Sequence, residues 1–568
     1  MSASKSRLFR ANASSTPRWH HVNWYVVQRK VRQLQVRIVK ATQQGKWRMV
    51  ERLQHLLTHS MAAKLLAVRR VTENQGKKTP GVDGETWSTP VQKIQAALSL
   101  SKKGYKPNPL RRIYIPKAES GKLRPLSIPT MKDRAMQALY QLALDPVVET
   151  LADANSYGFR KGRSPHDAIE QTHNVLSGNH AARWILKADI QGCFDHLGHE
   201  WLVSNMPMDT KMLTMWLKAG FVEDGTVHPT EEGSPQGGCI SPTLANRALD
   251  GLEGLLQEHF TRSNGYRSRR NPHKINTVRF ADDILITGAS REGLEEEVKP
   301  LVSAFLQERG LQLNEQKSTI IHVDEGVDFL GFTVRRFGDK TIIKPSAEAI
   351  KRFKAKISQT LTRMKTAKTV SVIGTLNPLI TGWGNYYRHV VSKALFYQLD
   401  SWIWRKLWEW AKRRHAQKPR RWIAAKYFDL DRNWMFFGED RGKRLYIQRL
   451  GTISIKRHIK VRSAANPYDP AWERYFESRL DRKWADHPGR TRRLSTLYRR
   501  QEGKCPVCGG QITFETGWNV HHLVERCKGG PETLQNLMLL HPNCHRQVHS
   551  LGSTVVKPEG IGCSFIEA

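Results

Sequence analysis

The run Phe280-Ala281-Asp282-Asp283 places two adjacent carboxylates at the tip of an apolar hairpin, with Thr277-Val278-Arg279-Phe280 leading in and Ile284-Leu285-Ile286-Thr287 leading out. Side chains alternate faces along a strand, so a tight turn can present at least one carboxylate to a shared site while Val278, Phe280, Ile284 and Ile286 fix the backbone. An isolated Asp-Asp pair is most often a solvated turn. A pair of Mg²⁺ ions needs hard oxygen ligands from more than one segment, so a second acidic strand is required. Ile185-Leu186-Lys187-Ala188-Asp189 supplies it: a β-type run ends on Asp189, and Phe194 follows five residues on.

The chain carries 91 Lys and Arg against 52 Asp and Glu, a formal net charge of +39, which calls for a polyanionic partner. A small basic ribosomal-type protein is excluded by size, since 568 residues at 39% hydrophobic bury several cores. That length corresponds to roughly three to five modules. No apolar run approaches the roughly 20 residues of a membrane span. The start Met1-Ser2-Ala3-Ser4-Lys5-Ser6-Arg7 lacks a signal-peptide core, so a cytoplasmic, bacterial location is expected; its Ser-rich, acid-poor character is also that of an organellar transit peptide. Seven cysteines, four of them between Cys505 and Cys544, suit a metal site better than a disulfide framework.

The two acidic segments belong to an ordered series. It runs Thr79-Pro80-Gly81-Val82-Asp83-Gly84, then Ile115-Pro116-Lys117 with Gly121-Lys122-Leu123-Arg124-Pro125-Leu126, then Ala188-Asp189-Ile190. Ser234-Pro235-Gln236-Gly237-Gly238, Phe280-Ala281-Asp282-Asp283, Gly310-Leu311 with Leu313-Asn314 and Lys317, and Phe329-Leu330-Gly331-Phe332 complete it. In this order the chain resembles the reverse transcriptases encoded by bacterial and organellar group II introns. One departure is Phe280, where the family usually has Tyr. The resemblance implies a right-hand polymerase, with fingers and palm over residues 61–340, that copies RNA into DNA from dNTPs.

DNA synthesis is an in-line displacement at phosphorus, so charge on the entering and leaving oxygens must be neutralised. Asp189, Asp282 and Asp283 are the expected Mg²⁺ ligands. Asp195, beyond Phe194, reads as a structural hydrogen-bond acceptor instead. By resemblance Phe194 stands where an aromatic blocks the 2′-hydroxyl; a plain core Phe is the alternative. Lys117 and Arg124 lie on two apolar-flanked segments joined by Glu119-Ser120-Gly121, the outline of a β-hairpin, and by resemblance pair the triphosphate. Gln236 matches the family's residue near nucleotide and template. Lys317, after an apolar helix expected from Val302 to Leu313, is a candidate to protonate pyrophosphate, or else a solvated lysine. Phe329-Leu330-Gly331-Phe332 resembles the primer grip.

Residues 1–60 are expected as an N-terminal extension: disorder to about residue 20, a basic amphipathic helix around Val26 to Val39, and a second helix from Lys46 to about Leu66. In the family this extension contacts intron RNA and template. After the palm the period becomes helical, and three helices are expected, over Ser346–Met364, Leu376–Val390 and Lys393–Arg414. They make a helical thumb over residues 341–420, in which Gly382-Trp383-Gly384-Asn385-Tyr386-Tyr387 resembles the maturase, or X, domain signature, implying binding of group II intron RNA and help in its splicing. Trp402, Trp404, Trp408 and Trp410 are expected to pack this bundle. Basic runs over residues 421–500 are assigned to binding target DNA through phosphate contacts.

The last segment, 501–568, holds Cys505-Pro506-Val507-Cys508 and His541-Pro542-Asn543-Cys544, two ligand pairs at the spacing of a structural Zn²⁺ staple. Cys527 is the alternative to His541 as fourth ligand. With them lie His521-His522, Asn536, and His545 and His549 one helical turn apart, which resembles the HNH nucleases and their ββα-metal fold. That resemblance implies His522 as general base, His521, His545 and His549 as ligands of the nuclease cation, and Asn536 holding the loop. His549 also reads as a helix-end residue, and Lys528-Gly529-Gly530 as a turn. The whole is a multidomain α+β protein: polymerase, maturase and nuclease of a mobile intron, or, alternatively, an RNA-binding splicing factor whose polymerase is dispensable.

Overall fold

The Trp24–Gln43 helix begins at Asn23, whose side chain accepts the Val26 N–H at 3.2 Å. Val27, Val31, Ile38 and Val39 line its buried side. The helix expected from Lys46 to Leu66 is two helices, Trp47–His59 and Met61–Glu73. Ser60 divides them, because its extended backbone lets its hydroxyl accept the Ala63 N–H and start the second helix. Such a cap contributes about 1 kcal/mol. This computed structural model describes residues 8, 18–116, 123–263, 269–486, 492–514 and 516–555. The expected disorder reaches less far than residue 20, since Trp19 is buried in a short 3₁₀ turn; residues 1–7 and 9–17 lie outside the described residues.

All three N-terminal helices pack against Met131–Leu151, a helix buried on most of its surface. Two four-stranded sheets carry the segments on either side of it and beyond. In the first, Leu123–Ile128, Leu110–Pro116, Phe221–Glu223 and Thr226–His228 are neighbours in that order. In the second, Thr319–His322, Trp184–Ala188, Asp283–Gly288 and Asn276–Phe280 form an antiparallel sheet. The helix expected from Val302 to Leu313 runs only over Lys299–Gln307. Gly310 turns the chain at φ +75°, and Leu311 and Leu313 are buried beyond the helix end.

The three later helices span Ala347–Arg363, Thr369–Tyr387 and Lys393–Arg414, the first capped by Ser346. Trp410 is buried, and Trp404 stacks on Trp408 at 5.7 Å, so the tryptophans do pack the bundle. The second helix starts earlier than expected because Pro378 is accommodated within it.

Part of the basic stretch assigned to DNA is structural. Asp167, fully buried, accepts the Val461 N–H at 2.7 Å, His458 Nε2 at 2.8 Å, Arg479 Nη2 at 3.2 Å and Ser164 Oγ at 2.7 Å. Residues 458–479 are thereby strapped onto the Pro165–Leu176 helix. Arg420, Arg421, Lys426, Arg441 and Lys443 remain exposed.

Asn519–His522 and Leu537–Leu540 form a hairpin followed by the Pro542–Leu551 helix, a ββα unit. Its apolar side is continuous with the N-terminal helices: Trp19, Trp24, Cys544 and Val548 share one core. Among the described residues no helix is long and apolar enough to cross a membrane.

Candidate active sites

Phe280 pairs with Asp283, leaving Ala281-Asp282 as a two-residue turn. Val278, Ile284 and Ile286 are buried beneath it, whereas Asp282 and Asp283 are exposed. On the neighbouring strand Ala188 lies opposite Ile284, so Asp189, one residue further, emerges beside Asp283. The register thus brings Asp189, Asp282 and Asp283 to the same end of the two central strands. They present six hard oxygens from two segments, the donor chemistry Mg²⁺ takes.

The turn rests on groups that the sequence reading did not single out. Ala281 is left-handed at φ +58°, and Gly158 backs it so closely that a Cβ there would stand 2.2 Å from the Ala281 nitrogen. Arg279, 1% exposed, donates to the Ala281 carbonyl at 3.4 Å and to Asn246 Oδ1 at 3.3 Å, and pairs with buried Asp250. Asn246 in turn donates to the Gly158 carbonyl at 2.8 Å. An arginine inside the apolar run Thr277-Val278-Arg279-Phe280 was the available signal.

Asp195 accepts from Gln236 Nε2 at 3.2 Å. Phe194 is half-buried and meets Phe159 edge-on at 6.2 Å. The Gln236 carbonyl accepts the Ser127 N–H at 2.7 Å, and Gly237, at φ +125°, allows the backbones to approach; a Cβ there would lie 2.6 Å from the Ser127 oxygen. Arg124 is exposed on the same strand as Ser127, opposite Ile115. Lys117 lies outside the described residues. Lys317 Nζ is 3.6 Å from Asp189 Oδ2.

At the next hairpin Leu330 and Gly331 both take positive φ, +51° and +82°. Tyr386 Oη donates to the Leu330 carbonyl at 3.0 Å and Tyr387 Oη to that of Gly331 at 3.1 Å. Trp383 stacks on Phe353 at 4.7 Å. The aromatic part of the Gly382 to Tyr387 segment is therefore turned inward, onto the hairpin.

In the C-terminal module the strand alternation sends His521 and His522 to opposite faces. His521 meets His545 and His549, whose ligand atoms lie with its own within 4.8 Å. His521 is buried and its Nδ1 has no hydrogen-bond partner. Burial, then the neighbouring His545 and His549, pushes its pKa down to about 4, leaving a neutral imidazole with an unused lone pair. These three nitrogens fit a divalent cation. His522 Nε2 instead meets Glu532 Oε1 at 3.0 Å. The contact with His522, against an opposing desolvation and with the help of Arg526 and Arg493, holds the Glu532 carboxyl down to about 2. Asn536 Oδ1 accepts the Val524 N–H at 2.7 Å while its Nδ2 donates to the Val524 and Pro531 carbonyls, which ties the loop containing Lys528-Gly529-Gly530.

Cys505, Cys508, His541 and Cys544 form a second cluster, all four buried, with ligand atoms within 4.8 Å of one another. His541 Nδ1 is 3.2 Å from Cys508 Sγ, and its Nε2 lies 3.0 Å from the Gln511 carbonyl, which orients the ring. Three soft sulfurs and one imidazole fit zinc. Cys527 is exposed, beside Glu525, and lies outside this cluster.

The models of four families match in succession: the N-terminal domain of reverse transcriptase at residues 19–100, reverse transcriptase (RNA-dependent DNA polymerase) at 115–334, the group II intron maturase-specific domain at 350–428 and HNH endonuclease at 505–551. The fold and sites thus define a reverse transcriptase-like polymerase with a C-terminal HNH endonuclease domain. Among curated proteins, YkfC of Escherichia coli is 30% identical over 358 residues, covering 56% of this chain and 92% of that one. The group II intron-encoded protein LtrA of Lactococcus lactis is 30% identical over 331 residues, 48% of this chain and 54% of its own length. A putative COX1/OXI3 intron 1 protein of Saccharomyces cerevisiae is 26% identical, over 48% of this chain and 38% of that one. Among solved structures, telomerase from Candida albicans aligns with a TM-score of 0.33 and 14% identity over 56% of this chain and 62% of that one. The chain belongs to the group II intron-encoded proteins, with RNA-directed DNA polymerase, maturase and HNH endonuclease domains.

Proposed function

We propose that this protein binds its group II intron RNA, assists its splicing, nicks a target DNA strand and extends the nicked end by copying the RNA. The observation that supports the polymerase half is the strand register, which sets Asp189, Asp282 and Asp283 at one end of neighbouring strands. These carboxylates would hold Mg²⁺, which supplies charge neutralisation at the entering and leaving oxygens of phosphoryl transfer. Arg124 and Lys117 from the fingers hairpin would pair the triphosphate. The link from Gln236 to Ser127 keeps the template-side loop in register with that hairpin. Phe194 would exclude a 2′-hydroxyl. Lys317, 3.6 Å from Asp189, would temper the repulsion among the carboxylates and would give a proton to the leaving group. Helices 347–414 would form the thumb, with Tyr386 and Tyr387 bracing the primer-grip turn against it.

In the nuclease, His521, His545 and His549 would hold a divalent cation that stabilises charge on the cleaved phosphate. His522, oriented by Glu532, would take the proton of the attacking water. Zn²⁺ at Cys505, Cys508, His541 and Cys544 would hold the module folded. Fingers and palm over 61–340, maturase over 341–420, DNA contacts within 421–500 and nuclease over 501–568 are the proposed working divisions, in a bacterial cytoplasm. Purified protein with intron RNA, offered a double-stranded target and dNTPs, should give one nicked strand extended by intron-complementary DNA. Splicing assistance without any extension would favour the splicing-factor reading.

A further inference from the structure

The turn Tyr157-Gly158-Phe159-Arg160 sets a large apolar side chain where neither burial nor backbone favours it. Phe159 is 60% exposed, and its backbone is left-handed at φ +57°. An exposed Phe gives up its burial, and the left-handed region crowds its Cβ against the following carbonyl. A bulky residue persists there only where its surroundings over-determine it, and such outliers gather at functional sites.

The surroundings of Phe159 do over-determine it. On one side Tyr157 donates its N–H to the Arg279 carbonyl at 2.8 Å, and the Gly158 carbonyl accepts from Asn246 Nδ2 at 2.8 Å. That side is thereby fixed to the strand leading into the Asp282 turn. On the other side Arg160 forks onto Glu149 at 2.8 and 2.7 Å and reaches back to the Asp153 and Ser156 carbonyls at 2.6 and 2.9 Å. Phe159 is held out between these two anchored residues, and its ring meets that of Phe194 at 6.2 Å with the planes at 81°. Edge-to-face pairs of this kind attract and fix the angle between the rings. Phe194 is also held at its backbone, where its carbonyl accepts the Ser234 N–H at 2.7 Å.

We propose that Phe159 is a positioning residue for sugar selection: it braces the Phe194 ring from a turn locked to the one carrying Asp282, so that the ring does not swing aside for a 2′-hydroxyl. The proposal rests on the reading of Phe194 as the residue that excludes that hydroxyl. An apolar wall alone rejects an added hydroxyl by only about a hundredfold. A wall that does not yield adds steric exclusion to that. The strained backbone at Phe159 then has a use, since it places the bracing ring.

The test is single-nucleotide incorporation by the full chain on an RNA template, with kcat/KM measured for a deoxynucleoside triphosphate and for the matching ribonucleoside triphosphate. Phe194→Ala reports on the gate itself and should lower the ratio between them most. Phe159→Ala should lower that ratio by about tenfold, the most that one aromatic pair supplies, through a rise in the ribonucleotide kcat/KM. A merely structural loss would slow both nucleotides alike and leave the ratio in place. Because Phe159 acts through Phe194, adding Phe159→Ala to Phe194→Ala should lower the ratio no further. Phe159→Tyr keeps the ring and should stay nearer the parent than Phe159→Ala does; the reverse order would overturn the proposal. Where Phe159→Ala fails to fold, Phe159→Gly, which relieves the left-handed backbone, takes its place with the same expected loss. The parent's ratio in Phe159→Ala beside a lowered one in Phe194→Ala would overturn the bracing role and leave the gate standing, and so would additive losses in the double variant. The parent's ratio in Phe194→Ala would refute the gate, and with it any role exercised through that ring.

Discussion

Gly158 lies so flat against Ala281 that a Cβ at position 158 would come within 2.2 Å of the Ala281 nitrogen. The obstacle would be backbone on both sides, so the turn carrying Asp282 must shift to make room. Gly158→Ala should therefore lower the rate of primer extension by about a hundredfold, the scale expected when a reacting group is misplaced by an ångström. Single-turnover extension on an RNA template measures it, with thermal unfolding as the control for the fold. A wild-type rate would mean the close approach does not position the turn.

Arg279 and Asp250 hold the same turn from beneath. Removing only one partner leaves a buried charge, so Arg279→Met should cost about 3–5 kcal/mol of stability. Arg279→Met with Asp250→Leu should recover part of that loss without restoring extension, because the donor to the Ala281 carbonyl is still absent. Denaturant unfolding of the three proteins beside an extension assay checks this. Equal stability of the single and double variants would contradict the pairing.

What could be read from the sequence was local. The Asn276–Gly288 hairpin, the Ser346 cap, the helix over Lys393–Arg414 and both cysteine-rich ligand pairs all depend on residues near one another, where period and spacing carry the signal. The division at Ser60 was missed because one serine in a helical pattern is weak evidence until its hydroxyl is seen on the Ala63 N–H. The strap on Asp167 and the contact of Trp19 with Asn543 join residues hundreds of positions apart. No periodicity reports such pairings. For the same reason the basic residues over 421–500 looked uniform, although Arg479 is committed to a carboxylate and Arg441 is exposed.

Burial alone would raise the Asp167 carboxyl, but the His458 hydrogen bond and charge, with Ser164 and the Val461 N–H, hold it well below the usual carboxylate range. A lowered folded pKa gives stability that is present in full above roughly pH 4, the unfolded value, and is lost as pH falls below it. Asp167→Asn should remove that acid sensitivity and increase hydrogen exchange across residues 458–468 at pH 7. A variant with the parent's exchange and the parent's acid profile would show that Asp167 does not hold the strap.

The zinc cluster and His522 should fail differently. Cys505→Ser should lose zinc and, with it, DNA nicking through local unfolding. His522 faces Glu532 and lies in neither cluster, so His522→Ala should keep its zinc and its DNA affinity while strand cleavage falls by about 10²–10⁴-fold. Metal analysis and a nicking assay on both proteins distinguish the outcomes. Zinc loss in His522→Ala would make that histidine structural.

The central claim is that Asp189, Asp282 and Asp283 form the polymerase centre, and primer extension on an RNA template by the Asp282→Ala, Asp283→Ala double variant tests it most directly. Both side chains are exposed at the turn, so the fold and the affinity for intron RNA should be retained. Extension should fall below detection. Extension at the parent's rate by a folded, RNA-binding double variant would contradict the account.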